Sequence, residues 1–294
     1  MARCCCVAAA IILALSAPVC GERQFETDAQ LGLFAIQGAL DAEEITPSQA
    51  IRRYRLLIRR YRDEADVIAE ANLEIALLSE NLGRMNDAIG SYLAVLKYPG
   101  SVFYLPAADA LHQIGLNLLE QRRGGLFRDN YAGARRVFEA LTKVFPEPAK
   151  TAEFHYRMGL CSLEMGKYPE AEIDFGNVLE RFPVEPWKEK ASFRLGDVYY
   201  NMRRPPTRDQ TGTERAITHF ETFLRQYPES DFAEDASGKL AELNENMAEY
   251  LFNVCSFYLN RGDEEAAGFY YRILTGNYPG SRWEEIAGER FKID

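Results

Sequence analysis

Few side chains in this sequence are of a type that does covalent or acid–base chemistry, and their spacing argues against their doing it. The histidines are His112, His155 and His219. No two share the short spacing by which one helix or turn offers a metal two ligands. His155 reads as a half-buried packing residue and His219 as an exposed one. Cys161 and Cys255 lie far apart on what read as separate helices, so no disulfide is indicated, and both read as small buried hydrophobes. The pair Glu264-Glu265 opens a helix, where carboxylates oppose the positive helix end. Gly124-Gly125 is a turn, and no Gly-Lys-Ser/Thr loop, Gly-x-Ser-x-Gly elbow or His-Glu-x-x-His helix is present. The sequence reads as a non-enzyme with no cofactor and no metal.

Cys20 carries chemistry of another kind. Met1 to Arg3 supply a start and a positive charge, Cys4 to Ser16 are apolar, and the chain turns polar at Gly21-Glu22-Arg23-Gln24. That pattern is a secretory signal over residues 1–20. The run falls short of the ~20 residues that a membrane span needs. Cys20 stands where a bacterial lipoprotein is cleaved and acylated, although Ala17 and Val19 replace the usual lipobox residues. Ordinary cleavage after Ala17 or Gly21 is the other reading. Acylation would anchor the chain, at about 0.8 kcal/mol per buried methylene.

The rest of the chain must position these groups, and it is a repeat. Its 294 residues are 47% hydrophobic and 27% charged, which excludes wholesale disorder. A net charge of −10 argues against nucleic acid as a partner. From Ala152 to Pro183, Gly159 is followed by Ala171, Phe175, Val178 and Pro183, with a turn at Met165-Gly166-Lys167-Tyr168. This is the pattern of a tetratricopeptide repeat, two antiparallel helices in ~34 residues. Small residues at the eighth and twentieth positions let the helices approach, and an aromatic at the twenty-fourth fills the space beneath.

The spacing recurs at Gly38, Ala50, Tyr54 and Leu57; at Ala76, Ala88, Tyr92 and Val95; and at Cys255, Ala267, Tyr271 and Leu274. With an insertion at the turn it recurs at Gly115, Ala134, Phe138 and Leu141, and at Gly196, Ala216, Phe220 and Phe223. The fold class is therefore all-α, a tetratricopeptide-repeat superhelix (α-solenoid) of about six helix pairs. The insertions, Arg122–Asn130 and Arg203–Gly212, read as loops that project from the stack. Asp231 to Asn260 contains no proline and reads as one helix of ~30 residues. It divides the expected domains: residues 21–230 as an arm of five repeats, and 231–294 as the linking helix, the sixth repeat and a capping helix.

In such repeats the first helix of each pair lines a concave groove. The expected lining includes His112, Tyr156, Phe193 and Tyr200 among acidic rim residues, which suits an extended peptide with aromatic side chains. About half of the lining is expected to serve repeat-to-repeat packing. A second surface is the arginine set Arg52, Arg53, Arg55, Arg59, Arg60 and Arg62, opposite the apolar stripe of its own helix. It reads either as a solvated face or as a contact for anionic lipid heads or an acidic partner.

The later repeats carry a resemblance. Pro206-Thr-Arg-Asp-Gln, Ala216-Ile-Thr-His-Phe and Phe223-Leu-Arg-Gln-Tyr-Pro-Glu-Ser230 lead into the long helix. Phe257-Tyr258-Leu-Asn-Arg261-Gly262 and Tyr271-Arg-Ile-Leu follow, before Tyr278-Pro279-Gly-Ser281. Residues from about 105 to 281 are in this respect similar to the BamD/ComL family of outer-membrane assembly lipoproteins. Two repeats precede the similar region, and the family's usual fifth repeat has no counterpart here. The resemblance implies a non-enzymatic periplasmic scaffold, lipid-anchored to the outer membrane. Its implied partners are a BamA-type barrel protein, other assembly lipoproteins and unfolded outer-membrane proteins. It also implies a substrate groove at His112, Tyr156, Phe193 and Tyr200, and a partner face at Arg261 and the Arg208-Asp209-Gln210 loop. A periplasmic repeat adaptor for cell division or envelope polymer transport is the alternative.

Overall fold

The computed structural model describes residues 27–120 and 128–291. The signal segment, Cys20 and most of the first insertion lie outside these residues. Among the described residues the chain is all helix, thirteen helices with no strand. It is a succession of helix pairs of the tetratricopeptide type, closed by one further helix, as the repeat spacing predicts. Contacts group the chain into two compact units, 1–150 and 151–294.

The first unit holds three pairs: α1 (Asp28–Asp41) with α2 (Pro47–Arg60), α3 (Ala65–Asn81) with α4 (Met85–Val95), and α5 (Tyr104–Glu120) with α6 (Arg128–Val144). Helix α2 is well started. Pro47 occupies its first turn, Thr46 Oγ1 accepts from the Gln49 N–H at 3.3 Å, and Gln49 Oε1 accepts from the Thr46 N–H at 2.8 Å.

The second unit holds α7 (Pro148–Glu164), whose first turn precedes the unit boundary, with α8 (Tyr168–Glu180). It continues with α9 (Trp187–Met202) and α10 (Thr211–Gln226), then α11 (Ala233–Asn260) and α12 (Glu264–Asn277), and ends with α13 (Arg282–Phe291). The long helix α11 runs 28 residues, close to the predicted span.

Burial follows the repeat positions. Ala50, Ala88, Ala134, Ala171, Ala216 and Ala267, at the small position of the second helices, are all fully buried. Tyr54, Tyr92, Phe138, Phe175 and Phe220, at the aromatic position, are buried too, whereas Tyr271 in the sixth pair is only half-buried. The close approach has a direct measure. A Cβ on Gly159 would lie 2.5 Å from Phe175, and one on Gly196 would lie 2.5 Å from Phe220.

The first pair departs from this register. A Cβ on Gly38 would meet nothing within 4 Å, and it is Gly32 that faces Leu57, at 2.9 Å. Gly38 is therefore not the close-contact residue that its spacing predicts. It lies in the last turn of α1, on an exposed face.

The tight turns share one device. Gly83, Gly166 and Gly262 sit at φ of +69°, +71° and +75°. The next N–H reaches back five residues, from Arg84 to Ser79 O, Lys167 to Ser162 O and Asp263 to Tyr258 O. This is the helix stop that favours glycine in the left-handed region. In the first pair the same bond runs from Glu44 to Ala39 O, but the left-handed residue is Glu43, at φ +57°.

Candidate functional site

The predicted groove residues divide by burial. His112, on α5, is half-buried with its ring edge-on to Phe138 at 6.4 Å, inside its own helix pair. Tyr156, on α7, is buried between Trp187 and Phe175, with ring centroids at 5.4 and 5.9 Å. Phe193, on α9, is 1% exposed, stacked on Phe232 at 4.6 Å and against Phe223 at 5.6 Å. The open-groove expectation for Tyr156 and Phe193 is corrected: both rings fill interhelical space. The reason is that a side chain at a groove-facing position also borders the next pair, and a large ring there buries more apolar area by turning inward.

Tyr200 is the accessible member in the second unit. It is half-buried, its hydroxyl donates to Glu242 on α11, and the Arg203 guanidinium lies 3.8 Å from its ring centre. Burial and the Glu242 carboxylate raise its pKa. Beneath it a charged cluster joins α9 to α11. Asp197, 5% exposed, accepts from Arg194 at 2.7 Å and from Lys239 at 2.6 Å, and Lys239 also reaches Asp235 at 2.8 Å. The Lys239 ammonium stands 4.8 Å from the Phe193 ring centre, so Phe193 and Tyr200 are brought to one side of α11.

An open cleft of about 340 Å³ runs along α10, lined by Arg215 and His219 of that helix and by Tyr199 of α9. Arg215 donates to Glu172 and, at 3.1 Å, to the Tyr199 hydroxyl, which in turn donates to Glu172 at 3.0 Å. His219 is half-buried rather than exposed as expected, and its Nε2 lies 2.8 Å from the Ser192 carbonyl oxygen. Burial lowers its pKa, partly offset by that carbonyl. A neutral imidazole held this way is a packing element. Among the described residues no group of three or more His, Cys, Asp or Glu could hold a metal ion.

The predicted docking residues also divide. Arg208 and Asp209 are exposed in the loop between α9 and α10. Gln210 is not available: it is 4% exposed, its Nε2 donates to the carbonyls of Pro205 at 2.8 Å and Arg208 at 2.9 Å, and its Oε1 accepts from Thr213 at 2.8 Å. It pins the insertion to the start of α10. Arg261 is exposed at the end of α11, 5.2 Å from the Phe257 ring centre.

Around Arg261 lies a patch that the spacing argument passed over. Phe257 and Phe269 are 51% and 54% exposed, and between them Tyr258 of α11 stacks on Tyr270 of α12 at 5.5 Å. The available signal was an aromatic pair at both Phe257-Tyr258 and Phe269-Tyr270, more than a helix-pair core requires. Exposed aromatics beside an arginine have the composition of a protein interface.

No helix among the described residues is long and apolar enough to cross a membrane. In sequence the chain is 25% identical over 174 residues to the outer membrane protein assembly factor BamD of Xylella fastidiosa, covering 53% of this chain and 57% of that one. It is 24% identical over 183 residues to the BamD of Neisseria gonorrhoeae, covering 57% and 67% respectively. The chain thus spans a little over half the length of the first of these relatives. Among solved structures, PilW, described as a widely conserved type IV pilus biogenesis factor, aligns over 90% of this chain and 99% of its own at 15% identity, with a TM-score of 0.33. A likeness of that size says nothing about function. Residues 117–289, more than half of the chain, match the family model YfiO, described as outer membrane lipoprotein, and the chain belongs to that family.

Proposed function

We propose that this chain is a non-enzymatic periplasmic scaffold of β-barrel assembly, anchored to the outer membrane through an acyl group on Cys20. In this reading it holds a BamA-type barrel protein, works beside other assembly lipoproteins, and receives unfolded outer-membrane proteins for folding and insertion. The observation that carries the reading is the family match over residues 117–289, which covers the long helix and the sixth helix pair. The exposed Arg261 with Phe257 and Phe269 supports a partner contact at that end, and Arg208 and Asp209, exposed in the loop between α9 and α10, offer a second contact. Substrate contact is assigned to Tyr200 on the second unit and to His112 on the first, both half-buried. Tyr156 and Phe193 serve it from beneath as packing.

Capture of the partner tests the proposal. The tagged full chain should recover a BamA-type barrel protein from detergent-solubilised envelopes. Arg261→Glu together with Phe257→Ala should lower that recovery at least tenfold, because loss of an anchor residue at an interface typically costs ~2 kcal/mol or more. Recovery of division or polymer-transport proteins alone would overturn it. Mass spectrometry of the mature N-terminus tests the anchor, and an unmodified start beyond Cys20 would refute that part.

A further inference from the structure

The first helix pair lies outside the residues that match the family, and its outer helix is the most basic element of an acidic chain. Helix α2 contains five arginines and no acidic residue. At 100° per residue, Arg52, Arg53, Arg55, Arg59 and Arg60 fall within an arc of about 160° centred near Leu56. Ala50, Ile51, Tyr54 and Leu57, all buried, occupy the opposite arc. All five arginines are exposed, and so is Arg62 just beyond the helix. Leu56, in their midst, is 56% exposed.

These cations are not spent inside the protein. Arg62 donates to the Arg59 carbonyl at 3.3 Å and Arg60 lies 5.4 Å from the Tyr61 ring centre, but none of the six forms an ion pair among the described residues. The nearest acids in sequence, Glu43, Glu44 and Asp63, flank the helix outside its ends. Like charges along one face repel, so a concentration of this kind costs stability unless something anionic meets it. The partner must also accept an apolar side chain at the centre of the patch. A phospholipid surface offers both, phosphates for the guanidinium groups and the acyl boundary for Leu56.

We propose that the exposed face of α2 is a docking surface for anionic phospholipid, through which the first helix pair lies against a bilayer. This contact is independent of acylation and of the scaffold role proposed above, and it survives the failure of either.

The test uses the full chain carrying Cys20→Ser, so that no acyl chain contributes. It is sedimented with vesicles of phosphatidylcholine alone or with about one-third phosphatidylglycerol. The protein should pellet with the anionic vesicles only, and release as the salt is raised towards 1 M, where the Debye length is about 3 Å. Substituting Arg52→Gln, Arg55→Gln and Arg59→Gln together should lower the partition coefficient roughly 100-fold. Arg→Lys at the same positions should retain binding within a few-fold and so separates lost charge from lost fold. Equal binding to both vesicle types, no binding to either, or an unchanged Gln variant would overturn the proposal. So would preferential retention on an anionic polymer such as duplex DNA, with no vesicle binding.

Discussion

Lys239 on the long helix α11 donates to Asp197 on α9 at 2.6 Å, and only 7% of the Asp197 side chain is exposed. Arg194 meets the other oxygen of the same carboxylate at 2.7 Å. Burial opposes the charge on Lys239, but Asp197 and Asp235 outweigh it and hold the ammonium above the usual lysine range. The packing of α11 on α9 thus depends on a buried carboxylate shared by two cations. Removing the shared partner is the damaging change. Asp197→Ala leaves Arg194 without its carboxylate and Lys239 with Asp235 alone, and should cost about 3 kcal/mol. Lys239→Ala leaves Asp197 with Arg194 and should cost about 1–3 kcal/mol. Urea unfolding midpoints of the two variants check the order.

Gly159 and Gly196 are needed for room. Alanine is the better helix former by about 1 kcal/mol. At these two positions, however, its Cβ would stand 2.5 Å from a buried phenylalanine. Gly159→Ala should therefore destabilise, by about 1–3 kcal/mol. Gly90→Ala, in the open on an exposed face of α4, should stabilise by up to about 1 kcal/mol. Thermal unfolding of the two variants should show shifts of opposite sign.

Glu43 is the odd member of the turn series. Its φ of +57° is the left-handed conformation that Gly83, Gly166 and Gly262 hold in the corresponding turns. Glu43→Gly should relieve about 1 kcal/mol or more of backbone strain. A rise in the unfolding midpoint is the expected result, and Gly166→Glu should lower it.

Glu74 makes stability depend on pH. Burial first, then Glu70 and Asp41, push its pKa up to about 7 from 4.5. Between those values the folded chain keeps a proton that the unfolded chain has released. Stability therefore falls as pH rises from 4.5 to about 7 and levels off above. Glu74→Gln should remove this contribution. The variant should exceed the parent by about 1–3 kcal/mol above pH ~8, and match it below pH ~4.

Gln210 holds the second insertion in place through three hydrogen bonds. Gln210→Ala strips them and leaves the buried Thr213 hydroxyl without its acceptor, at about 1–3 kcal/mol. Faster amide exchange across residues 207–209 is the local sign of the loss.

The repeat architecture was legible in the sequence because it rests on local rules. An alanine every repeat, an aromatic four positions on, and a glycine at the turn each answer a demand of two helices packed side by side. Ala171, Phe175 and Gly166 meet those demands wherever the pair sits in the chain. The span of α11 was legible for the same reason, since a long stretch without proline and with few helix breakers is a property of neighbours in sequence. What spacing did not disclose was which residues on a groove-facing register remain open. Phe193 and Tyr200 lie seven positions apart on α9, about two turns, and point to the same side. Yet Phe193 is covered by Phe232 and Lys239, while Tyr200 is left half-exposed. That choice depends on side chains some forty residues away. Gln210 is the polar counterpart: an amide in an insertion reads as exposed until the loop folds back on it. The sequence alone determined the class of helix pair and its order along the chain, because those follow from contacts between near neighbours. Only the tertiary structure decided which polar and aromatic groups are satisfied inside and which stay outside, because burial is shared among residues from several helices at once.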